Sequence, residues 1–194
     1  MRTLHGAAQE KTMELTLSDC IAFERVNASR FSEMVKVLSN PLSYGDREEY
    51  AAAVAFVGIS NQLSKFGTGD IPYEMYNVHS RAWPREDWMW MLKRSPVYHA
   101  DKTKTPMLII HGDQDPRVHP SQSLEMYRHI KLRTDTPVRL VFYPGEGHGN
   151  RNTAATYDYS LRFKRWMDHY LKGPGGEAPP YEIDHAAKLA EDDE

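Results

Sequence analysis

Asp115 and His148 stand in two loops that follow strand-like runs, and an acid and an imidazole in such loops are the parts of a proton-transfer pair. A carboxylate hydrogen-bonded to one ring nitrogen of a histidine fixes the tautomer and leaves the other nitrogen to take a proton from a nucleophile. The chemistry exists only if the fold brings both loops to one place. The elements between and around the two residues therefore decide the matter.

Residues 107–110, Met-Leu-Ile-Ile, form a short continuous apolar run of the kind found in parallel strands covered on both faces, and Gly112 permits a sharp turn beyond it. Val138, Leu140, Val141 and Phe142 form a second β-rich run that stops at Pro144 and Gly145. The 33 positions from Asp115 to His148 (148 minus 115) accommodate one crossover helix. That helix is expected after Pro120 and Ser121, where Leu124, Tyr127 and Ile130 recur every three residues with Glu125, Arg128 and Lys131 between them. A parallel strand, helix, strand unit is right-handed almost without exception, so both loops should lie at the same sheet edge, where open α/β folds bind ligands. A further helix should carry Tyr159, Phe163, Trp166, Met167 and Tyr170 on one face and stop at Gly173 and Pro174. Residues 52–58, Ala-Ala-Val-Ala-Phe-Val-Gly, read as one more strand.

Three motifs give these elements a family likeness: His111-Gly-x-x-Asp115-x-x-Val118 followed by Ser121, Gln122 and Ser123; Tyr143-Pro-Gly-Glu-Gly-His148-Gly; and Ser95-Pro-Val-Tyr98. Across residues 51–173 the chain resembles the catalytic domain of the prolyl oligopeptidase family of serine peptidases. The resemblance implies part of an α/β-hydrolase fold, a parallel sheet with flanking helices, and a peptide substrate cleaved through an acyl-enzyme without a cofactor. It implies Asp115 as the triad acid and His148 as the general base, which accepts the proton of a serine and later donates it to the leaving amine. It also implicates Val118 and, within the aromatic segment after the strand at 52–58, Phe66, Tyr73 and Tyr76 as walls of the substrate pocket.

The nucleophile is where this chain departs from the family, because it contains no Gly-x-Ser-x-Gly pentapeptide. That elbow needs small residues two places either side of the serine, where backbones come into contact. Ser43 keeps a following Tyr44 and Gly45 but has Pro41 where glycine belongs, and Ala51 follows too soon for the usual intervening helix. Ser29 and Ser32 have the bulky Phe31 and Met34 two places later. Ser43 is thus the candidate nucleophile. Residues 1–50 read as an atypical, helical leader, with Phe31, Met34, Val35 and Leu38 on one face, and the amino-terminal half of the fold is expected to be missing or replaced. Besides a peptidase, the pattern allows a catalytically dead remnant serving as a binding or assembly module, and an esterase on the same scaffold.

Other clusters read as structural. His111, Asp113, Asp115, His119 and His148 do not repeat the tight Cys/His spacing of a zinc site, so no metal is expected; His111 should bond locally at its strand end and His119 should be exposed. Trp88, Met91 and Leu92 are spaced as the buried stripe of a helix beginning near Glu86. A net charge of -3 without a basic run gives nucleic acid nothing to bind. A single cysteine, Cys20, excludes an internal disulfide, and with no apolar span the expected setting is cytoplasmic, away from membranes. Residues 174–194 are rich in glycine, proline and acid, as in a mobile tail. The strand at 52–58 carries no charge or proline to guard an edge and is a candidate for self-association.

Overall fold

The computed structural model describes residues 51–185. Three parallel strands lie in the order in which they occur: β1 (Ala53–Phe56), β2 (Met107–Gly112) and β3 (Val138–Tyr143). Ala53 pairs with Met107, and Met107 in turn with Val138, so the three strands start level and their carboxyl ends face one way. The strand runs expected at 107–110 and 138–143 are found, the first extended by His111 and Gly112. Ser29, Ser32, Ser43 and the leader helix lie outside the described residues.

Alternation along the strands divides the core into two layers. Val54, Leu108, Ile110, Val141 and Tyr143 face Tyr159, Phe163 and Trp166 of α5 (Thr153–Leu171). Ala53, Met107, Ile109 and Val138 face Met126 and Ile130 of α4 (Ser121–Arg133), together with Val97 and Ala100 of the 3-10 helix Pro96–Lys102. Helices on both sides make β2 buried along its whole length, which explains its unbroken apolar sequence. The aromatic stripe of α5 is therefore core, as its spacing predicts.

The buried face of α4 differs from the expected one. Gln122, Ser123, Met126 and Ile130 are buried, whereas Leu124 and Tyr127 are only partly covered. Two of the four are polar, and they are inside because they hold loops, a role that hydropathy spacing cannot show. The segment between β1 and β2 carries α1 (Gln62–Thr68), the single turn α2 (Pro72–Glu74) with a π-helical continuation to Ser80, and α3 (Trp88–Lys93). α3 is capped by Asp87, whose carboxylate accepts from Trp90 N at 3.0 Å. Met91 is buried but Trp88 is 54% exposed, so Trp88 is not part of a buried stripe. A helix of six residues offers the core little more than one position, and Met91 occupies it.

After α5 the chain turns at Gly173, where a Cβ would stand 2.8 Å from the carbonyl oxygen of His169. The breaker-rich segment beyond it lies back against α5 and β3 as far as His185. Arg139 donates to the carbonyls of Pro179 and Pro180, Arg162 to that of Tyr181, and Arg165 to that of Glu182. The Arg162 guanidinium sits 4.7 Å from the centre of the Tyr181 ring.

Candidate active site

Two loops at the carboxyl ends of β2 and β3 are joined by backbone before any side chain is considered. Asp113 N donates to the carbonyl of Tyr143 at 3.1 Å, and Gln114 N to that of Glu146 at 2.9 Å. The Asp113 carboxylate accepts from Gly145 N at 2.7 Å, at the turn where Gly145 adopts a φ of 78°. Gly112 is required by the closeness of this contact: a Cβ there would lie 2.3 Å from the Glu146 carbonyl oxygen. Glu146 is itself buried, and its carboxylate accepts from Arg151 N at 2.6 Å and Asn152 N at 3.0 Å, tying the far end of the loop to the start of α5. His148 projects from the loop so held.

Asp115 and His148 meet. The Nδ1 nitrogen of His148 is 2.8 Å from Oδ2 of Asp115, whose side chain is completely buried while that of His148 is 42% exposed. A buried carboxylate can only accept, so Nδ1 carries the proton and donates it. Nε2 is then the basic nitrogen, and no described residue hydrogen-bonds it. Burial by itself would push the Asp115 carboxyl upward, but hydrogen bonds from His111, His148 and the Val118 amide outweigh it and hold the group well below the usual carboxylate range. The site thus keeps a fixed negative charge behind a histidine open to solvent.

The other Asp115 oxygen, Oδ1, accepts from Arg117 N at 2.8 Å and Val118 N at 3.0 Å, so the residues after the acid wrap around it. On the inner side stands His111, fully buried, with Nε2 at 3.0 Å from Asp115 Oδ2 and 2.7 Å from the Val118 carbonyl, and Nδ1 at 2.6 Å from Ser123 Oγ. His111 does bond locally at its strand end, and its partner is the candidate acid itself. Gln122, next to Ser123, accepts from Ser60 N and Asn61 N at 3.0 and 2.8 Å and donates to Ser64 Oγ at 2.6 Å. Val97 N donates to Ser60 O at 3.1 Å. Gln122 thus ties the first turn of α4 to the loop after β1, Ser123 ties it to the end of β2, and the Ser-Pro-Val-Tyr motif ties the 3-10 helix to that same loop. The roles of Ser123, Gln122 and Glu146 have one signal in the sequence, their place inside the motifs that carry Asp115 and His148.

The residues expected to wall a pocket fall into two groups. Val118 is buried, its amide donating to Asp115 and its carbonyl accepting from His111. Phe66, Tyr73 and Tyr76 gather around Trp83, with Tyr76 stacked on it at 4.7 Å and the other two edge-on at 5.7 and 5.9 Å. Asp70 connects the groups: its amide donates to Pro116 O at 2.9 Å and its carboxylate accepts from Arg117 Nε at 2.8 Å. Of the remaining histidines, the exposed His119 has Nδ1 2.9 Å from Ser121 Oγ.

Comparison with protein families matches residues 42–174 to the prolyl oligopeptidase family. The chain belongs to that family of serine peptidases. Among curated proteins it is similar to the acylamino-acid-releasing enzyme of Rattus norvegicus, 31% identical over 132 residues, which are 64% of this chain and 18% of that protein. It is also similar to dipeptidyl aminopeptidase BIII of Pseudoxanthomonas mexicana, 40% identical over 60 residues, 31% of this chain and 9% of that one. The matched stretch thus spans a fifth or less of the length of such relatives. Two solved structures share the fold. One is puromycin hydrolase, with a TM-score of 0.65 at 17% identity over 87% of this chain and 26% of that one. The other is the acylaminoacyl peptidase of Pyrococcus horikoshii, with 0.59 at 22% over 80% and 24%. The three parallel strands and their helices are part of an α/β-hydrolase fold. Among the described residues no helix is long and apolar enough to cross a membrane.

Proposed function

We propose that this chain carries the acid and the general base of a serine peptidase site directed at peptide bonds. The observation that supports this best is the 2.8 Å contact between Asp115 and His148, with the histidine partly exposed and its Nε2 unpaired among the described residues. In the reaction, a serine Oγ attacks the scissile carbonyl carbon as its proton passes to His148 Nε2. The imidazolium, stabilised by Asp115, then gives that proton to the departing amine as the carbon–nitrogen bond breaks. Water repeats the two transfers to release the acid. Acylaminoacyl and dipeptidyl peptidases among the relatives favour short peptides as substrates. Val118, Phe66, Tyr73 and Tyr76 are assigned to the pocket, and a cytoplasmic setting fits the single cysteine.

The missing Gly-x-Ser-x-Gly elbow favours slow turnover by this polypeptide, and it equally favours a second reading in which the half-sheet survives as a binding module. A triad without its nucleophile retains about 10³–10⁴-fold catalysis over water. We expect hydrolysis of acylated and free dipeptide substrates to stay at or below that level, and fluorophosphonate probes to leave the chain unlabelled. Rapid turnover or stoichiometric labelling that vanishes in Ser43→Ala would instead establish Ser43 as the nucleophile.

A further inference from the structure

His111 has no part in the proton transfers just described, yet it is fully enclosed within the site and has three hydrogen-bond partners. The Val118 carbonyl at 2.7 Å can only accept, and so can the Asp115 carboxylate at 3.0 Å. Nε2 must therefore carry a proton. At the opposite corner of the ring the Ser123 hydroxyl, 2.6 Å from Nδ1, can either donate to a neutral imidazole or accept from a charged one. Among the described residues Ser123 Oγ has no hydrogen-bond partner other than Nδ1, so the hydroxyl proton is directed at the ring and Nδ1 accepts it. A neutral ring leaves the carboxylate its charge and still supplies one N–H to Oδ2, the oxygen that faces His148.

We infer that His111 is a positioning residue: held neutral in its Nε2–H form by Ser123, it fixes the Asp115 rotamer and thereby the Nδ1–H tautomer of His148. Its purpose rests on the peptidase reading, but the two tautomers are properties of the chain whether or not a serine attacks.

The test is nitrogen NMR of the whole chain labelled at histidine, at neutral pH, with His111→Asn and His111→Gln alongside. Glutamine places an amide N–H near the reach of Nε2, and asparagine near that of Nδ1. The wild-type chain should show His111 as neutral Nε2–H and His148 as Nδ1–H. His111→Asn should raise the minor His148 tautomer about tenfold, the factor set by one hydrogen bond to a charged group, and His111→Gln should restore most of the wild-type pattern. A doubly protonated or Nδ1–H His111 in the wild-type chain overturns the inference, as do equal His148 spectra in the two variants. The wild-type tautomer decides the question even if a variant fails to fold. Because no substrate is involved, failure here is distinct from failure of the hydrolase assay.

Discussion

Four hydrogen bonds converge on the Asp115 carboxylate, two at each oxygen, and they limit what can replace it. In Asp115→Asn the amide oxygen can keep the Arg117 and Val118 amides, but the new NH2 then confronts the N–H groups of His111 and His148. Donor facing donor leaves buried groups unpaired, and we expect a loss of about 2–3 kcal/mol in denaturant unfolding. The pH dependence follows from the depressed folded-state pKa. The stability conferred by Asp115 is present in full above its unfolded value of about 3.9 and is lost as pH falls below it toward the folded value. Asp115→Asn should accordingly flatten the acid limb of a stability profile without abolishing it, since Asp158 and Asp168 are depressed as well. An acid limb identical in both proteins would mean that Asp115 is not the paired carboxylate described. Asp115 and His148 were legible in the sequence because loop residues beyond apolar strands stand out. For His111 only a local bond at its strand end was legible, and neither its partners nor the role of Ser123 was, since a histidine ending an apolar run gives no sign of what its ring faces.

At the scale of elements, what aligns acid and base is the contact between the β2 and β3 loops, and Gly112 is its tightest point. A methyl group at that position meets the carbonyl oxygens of Glu146 and Gly147 at 2.3 and 2.4 Å, and both are backbone atoms that cannot swing aside. Gly112→Ala should therefore cost on the order of 2–3 kcal/mol, as overpacking does elsewhere, and should part His148 from Asp115. Urea denaturation gives the first quantity, and loss of the hydrogen-bonded His148 Nδ1 proton signal gives the second. A fully stable Gly112→Ala chain with that signal intact would show that the loops close differently. Periodicity found β2, β3 and α5 because each buries a continuous apolar face. It misplaced the inner face of α4 and the environment of Trp88, since Gln122 and Ser123 are buried for hydrogen bonding and a six-residue helix is too short to average out a local exception.

For the whole molecule the decisive feature is the outer side of β1. Among the described residues β1 pairs with β2 alone, and its other backbone edge meets no described strand. The sequence there has no charge, proline or bulge to discourage pairing, and the side chains on both faces are apolar. Val57, just beyond the strand, adopts a φ of 49°, a conformation that costs a β-branched residue energy, while its amide still donates to the Ile110 carbonyl at 3.0 Å. A helix can cover a face of such a sheet but cannot satisfy the row of donors and acceptors at its edge; only another strand can. We therefore propose that the isolated chain associates through β1, in dimers or larger species at micromolar concentration. Multi-angle light scattering should show a mass at least twice that of the chain, and a charged substitution in the strand, Ala55→Lys, should shift the population toward monomer. A monodisperse monomer that unfolds cooperatively would place a strand of this same chain on that edge.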